Sequence, residues 1–133
     1  MGGKLHKGLL FFISFAICIA GSLWGQTPVV TSTSFSTIPV ASQGVINVCA
    51  GSTILFTNTT ATNTNNNVIL QAPVTYNWSF GNGQNRTTNG PHAITYNNPG
   101  TYTVTLNMTS GGVAIPANGG NVGTVTVNVS SPP

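Results

Sequence analysis

The feature that most constrains this chain is the alternation of apolar and hydroxyl or amide side chains from Thr101 to Thr109 (TYTVTLNMT). Tyr102, Val104, Leu106 and Met108 fall on one face, and Thr101, Thr103, Thr105 and Asn107 on the other, a period of two that only a half-buried strand satisfies. The same period recurs along the sequence. Val74, Tyr76, Trp78 and Phe80 alternate with Thr75, Asn77 and Ser79, and Val125, Val127 and Val129 alternate with Thr124, Thr126 and Asn128. Ile54 and Phe56 face away from Thr53, Leu55 and Thr57, and Val45 to Val48 supplies another short run. Thr27 to Pro39 reads as an extended first strand, because Pro28 and Pro39 suit strand entries and edges.

Turn chemistry separates these runs. Gly81-Asn82-Gly83 ends one strand, and Asn97-Asn98-Pro99-Gly100 precedes another, with proline presetting one central turn residue and glycine accepting positive φ at the next. Asn58 to Asn67 is almost pure Asn and Thr, so it reads as a loop, and Ser110 to Asn121 reads as a glycine-rich connection. With no helical period anywhere after residue 26, the fold class is all-β: an Ig-like β-sandwich of about seven strands.

Charge narrows the chemistry. The chain has three Lys or Arg, no Asp or Glu and two His. Lys4 and Lys7 precede the apolar run Leu9 to Ala20, and Gly21, Ser22 and Gly25 follow it, which is the layout of a secretory signal peptide over residues 1–25. The run is shorter than the about 20 residues of a membrane span, so no span is expected after cleavage before Gln26. The domain that remains keeps only Arg86 and His92. Nucleic-acid binding needs several cations against phosphate and is excluded. General acid–base catalysis and oxygen-ligated metal sites lack their carboxylates, and Cys49 with His92 falls short of a zinc ligand set, so no enzyme, cofactor or metal is expected. Cys49 is read as a small buried core residue. Asn58, Asn77, Asn85, Asn107 and Asn128 each begin an N-x-S/T triplet, a pattern that chance supplies in so Asn- and Thr-rich a chain.

Two stretches, Trp78-Ser79-Phe80-Gly81-Asn82-Gly83 and Tyr96 with Pro99-Gly100-Thr101-Tyr102-Thr103-Val104-Thr105-Leu106, resemble the paired motif of the PKD (polycystic-kidney-disease) domain family, W-D-F-G-D-G followed by Y-x-x-P-G-x-Y-x-V-x-L. The resemblance spans about Val45 to Val129. Ser79 and Asn82 stand where the pattern has acids, and Ile94 stands where a histidine is usual. The resemblance implies a domain at 45–129; the residues before it read as an N-terminal extended segment and first strand at 26–44, and Ser130 to Pro133 as a Pro/Ser linker or chain end. It implies structural roles for Trp78, Phe80, Gly81, Asn82, Gly83, Tyr96, Pro99, Gly100, Tyr102, Val104 and Leu106.

Ala61 to Ala72 is read as an insertion into that pattern, and Asn63, Asn65, Asn66, Asn67, Val68, Ile69 and Leu70 as its candidate binding loop. The expected role is a non-catalytic extracellular spacer or adhesion unit that contacts other domains or surface proteins. Two alternatives stand beside it: a polysaccharide-binding accessory domain of a larger secreted hydrolase, and a self-assembling surface or filament subunit. Self-association has a physical basis, since natural sheets guard their edges with charges and this domain has almost none.

Overall fold

The computed structural model describes residues 30–60, 70–117 and 120–133. Its strands in chain order are β1 (Phe35–Ile38), β2 (Val45–Cys49), β3 (Ser52–Asn58), β4 (Val74–Ser79), β5 (Asn85–Arg86), β6 (His92–Tyr96), β7 (Gly100–Ser110), β8 (Val113–Ile115) and β9 (Gly123–Ser130). They form two sheets, one ordered β1-β3-β6 and the other β2-β9-β7-β4-β5, with β8 also on β7. No helix long and apolar enough to cross a membrane occurs among the described residues. The signal-peptide reading of residues 1–25 lies outside them.

The alternating runs become strands because their apolar sets meet between the sheets. Ile54, Phe56, Trp78, Phe80, Val104, Leu106 and Val127 are fully buried, with their Thr and Asn neighbours turned outward. Strand β7 organises the larger sheet. It pairs with β4 along one edge, and on the other with β9 over Gly100–Leu106 and then β8 over Met108–Ser110.

The break between β8 and β9 is filled by a residue that the sequence reading left unmarked. Thr33, 4% exposed, donates from its backbone to the Asn121 carbonyl (3.0 Å) and from Oγ1 to the Leu106 carbonyl (2.5 Å), while the Gly123 amide donates to that same Oγ1 (2.6 Å). A buried hydroxyl costs stability unless bonded, and this one bridges groups that would otherwise face the core without partners.

Three expectations are corrected. The Ser110–Asn121 connection contains β8, folded onto β7 by Gly111 and Gly112 at φ 59° and 82°, which places Ile115 in the core at 2% exposure. Together with the two-residue β5, this raises the expected seven or so strands to nine among the described residues. Cys49 is exposed rather than buried, because it shares the outward parity of Val45 and Asn47 on β2.

The described part of the N-terminal segment belongs to the sandwich. Strand β1 pairs antiparallel with β3 in the smaller sheet, after which the chain crosses over and β2 pairs parallel with β9 in the larger one. Just before β2, Ser42 and Val45 exchange backbone hydrogen bonds around Gln43 and Gly44, both at positive φ (50° and 77°), the signature of a tight primed turn. The described chain therefore enters at the end of the sandwich holding Thr33, Thr60 and Asn121. It leaves at the opposite end, where Ser130 lies against Cys49.

Candidate functional site

The motif residues gather at the exit end and inside the core behind it. Trp78 is fully buried and stacks nearly parallel on Phe80 (centroids 5.8 Å, 7°), with Phe35 at 5.2 Å and the His92 ring edge-on at 5.5 Å. The Trp78 indole Nε1–H donates to the Thr88 carbonyl at 3.1 Å, and His92 Nε2 lies 3.0 Å from the same oxygen. One carbonyl thus ties the loop before β6 to both rings. An indole needs such a partner to be buried without loss.

Beyond Phe80 the chain makes its turn against β7. Gly81, at φ 76°, passes so close that a Cβ there would lie 2.8 Å from the Thr103 carbonyl oxygen and 2.9 Å from its nitrogen, which only glycine avoids. Asn82 then accepts from the Gln84 amide through Oδ1 (3.1 Å), an Asx turn. An asparagine oxygen serves this purpose as an aspartate would, and the exchange of the family's acid leaves the turn intact.

The two motif tyrosines lock the far side of the same end. The Tyr96 hydroxyl donates to the Phe80 carbonyl (2.9 Å), and the Tyr102 hydroxyl donates to Asn98, four residues upstream (2.8 Å), which is the hydrogen bond of a tyrosine corner. Their rings pack at 5.0 Å. Burial, and after it the neighbouring Tyr102, pushes the Tyr96 phenol far above its ordinary value of about 10. Trp78, Phe80, Gly81, Asn82, Tyr96 and Tyr102 of the motif are thereby engaged in packing, close approach or hydrogen bonds that hold the fold.

Of the candidate binding loop only Leu70, half-buried, is described; Asn63, Asn65, Asn66, Asn67, Val68 and Ile69 lie outside the described residues. Both feet of the loop are anchored at the entry end, away from the motif. Thr60 is 7% exposed; its Oγ1 donates to the Ser34 carbonyl (3.1 Å) and accepts from the Ser34 amide (3.0 Å). Gln71 donates its amide to Ser110 Oγ (2.7 Å), and its carbonyl accepts from Gly111 (2.7 Å). Sequence patterning had no means of finding Thr60, since a buried threonine reads like any other member of an Asn/Thr run.

Chemistry at the surface is that of hydroxyls and amides. Thr75 and Thr109 meet across β4 and β7 at 2.6 Å, Thr53 and Thr95 across β3 and β6 at 2.7 Å, and Asn47, Asn128 and Thr101 form a bonded row across three strands. Cys49 closes β2 at the exit end while His92 opens β6 at the other, so the fold keeps thiol and imidazole apart. Among the described residues no three of His, Cys, Asp or Glu come together.

A two-sheet sandwich with a buried tryptophan, a tyrosine corner and a strand that switches sheets defines the Ig-like class of β-domains. Within that class, a PKD-domain family model matches residues 36–128, and the chain belongs to the PKD domain family. The match begins inside β1, in accord with that strand's place in the smaller sheet. No curated protein matches the chain.

Solved structures similar to the chain include the following three. A structure of carbohydrate-binding modules from the β-sandwich superfamily is 25% identical with a TM-score of 0.51; the alignment covers 75% of this chain but only 34% of that one. The PKD domain of the human VPS10 domain-containing receptor SorCS2 is 17% identical at a TM-score of 0.50, covering 81% of both chains. The PKD1 domain of the Vibrio cholerae metalloprotease PrtV is 23% identical at 0.46, covering 74% and 95%. PKD domains are in general non-catalytic modules of extracellular or secreted proteins, and family membership supports an accessory module here.

Proposed function

We propose that this domain is an extracellular spacer or adhesion unit of a secreted or cell-surface protein, exported by the signal read at residues 1–25. The observation that carries the reading is mechanical. The chain enters and leaves at opposite ends, and β2 and β9 run parallel between those ends, in register from Val45–Thr126 to Cys49–Ser130. Tension between the two ends slides β9 along β2. Their ladder, bounded by Thr126 to Gly44 and Ala50 to Ser130 (both 2.9 Å), is then loaded all at once instead of bond by bond. A tether between two attachments needs that property. Single-molecule pulling tests it: a single cooperative rupture is expected, with a force lowered when β2 is disrupted. Gradual yielding at low force contradicts the reading.

A second reading is favoured by the carbohydrate-binding-module neighbour. In it, the segment between Thr60 and Gln71 contacts a neutral polysaccharide from the entry end. Retention on a neutral polysaccharide that disappears when residues 61–72 are deleted supports this reading, and no retention on any polysaccharide ends it.

A further inference from the structure

We propose that two copies of this chain join through the free edge of β2, in an antiparallel pair whose two-fold axis passes at Val48. The hydrogen-bond parity of β2 identifies the groups on offer. Gly44 accepts from Thr126 and Ala50 donates to Ser130, so the even-numbered residues of the strand turn their backbone groups to β9. The odd-numbered residues turn theirs to the open side. There Val45 is already bonded to Ser42 in the tight turn, which leaves the amides and carbonyls of Asn47 and Cys49 without a ladder partner among the described residues. Exposed strand edges of this kind are templates for another strand.

The occupant is set by self-complementarity. With Val48 opposite Val48 of the second copy, Asn47 lies opposite the second copy's Cys49, and each such pair exchanges both its hydrogen bonds. All the free groups are then used, and the Ser42–Val45 turn stays outside the pairing. Val48, half-buried and packed against the core, meets its own copy across the axis, so apolar surface joins apolar surface. An isologous contact demands this kind of match of a patch with itself.

Nothing on the strand opposes it. The sole fixed charge of the described residues, Arg86, sits on β5 at the far edge of the same sheet, where it guards that edge. Strand β1 is cut short by Pro39, and β6 begins directly after Pro91, whereas β2 contains neither proline nor charge. The pairing is not a disulfide. In this register the two Cys49 residues are offset along the strands by two positions, roughly 7 Å, in addition to the strand separation, beyond the reach of an S–S bond.

Sedimentation equilibrium of the purified protein over a range of concentrations tests the pairing. A reversible dimer is expected, unchanged by reductant and by Cys49→Ser, and weakened about tenfold or more by Asn47→Pro, which removes an edge donor, and by Asn47→Lys, which places a charge on each side of the axis. Asn47→Lys keeps the backbone donor and carries the test should Asn47→Pro fail to fold. A monomer at every concentration overturns the proposal. So does a dimer that survives Asn47→Lys in a folded protein, or one that vanishes with reductant or Cys49→Ser.

Discussion

Replacing Trp78 with alanine is expected to lower the melting temperature by at least about 15 °C, and to leave the protein largely unfolded at 37 °C if its stability lies at the low end of the usual range. The side chain is fully buried at the centre of an aromatic cluster with Phe35, Phe80 and His92. Truncating such a residue costs about 3–5 kcal/mol in transfer and cavity terms, and a domain of this size gains only about 5–15 kcal/mol in total. The Thr88 carbonyl loses its indole donor in the same step, loosening the loop that leads into β6. Thermal melts followed by circular dichroism give the answer. A shift of only a few degrees would mean that the cluster is not the centre of the core.

The second large effect concerns pH. Acid unfolds most proteins by protonating carboxylates that are paired or hydrogen-bonded in the native state, and this chain has no Asp or Glu. Its melting temperature at pH 2.5 is expected to match that at pH 5 within a few degrees. The alkaline side behaves differently. Tyr96 is held protonated in the fold by burial and by Tyr102, so its folded pKa lies above its unfolded value of about 10. The folded state then binds more protons than the unfolded state at high pH. The stabilisation is complete below pH 10 and is lost progressively as the pH rises beyond it. Melts at pH 2.5, 5, 8 and 11 should show a plateau followed by a fall at the last point. Cooperative unfolding between pH 5 and 3 would contradict this account.

How far the sequence made this legible varies with the element. Strands β3, β4, β7 and β9 stand out because each places at least two apolar side chains on one face, and the paired motif around Trp78 and Tyr102 resembles the PKD pattern in the sequence alone. The exposure of Cys49 follows from the same parity that turns Asn47 outward, whereas its residue type alone points to the core. Other features left no periodic trace. Strand β8 is three residues between glycines and Pro116, too short for alternation to register. Thr33 and Thr60 are buried through backbone partners far along the chain, which composition does not encode. The parallel pairing of β2 with β9 depends on a sheet switch at Ser42–Val45 that only the turn geometry reveals.

The tether reading meets its most direct test when the force needed to rupture the domain is compared for two pulling directions. Pulling through the chain ends shears β2 along β9, whereas pulling across the larger sheet, through anchors on β2 and β5, peels the strands apart. The account predicts a clearly higher rupture force for the end-to-end direction, reduced towards the transverse value by Val48→Pro, which removes a backbone donor that faces β9. Equal forces in the two directions would contradict it.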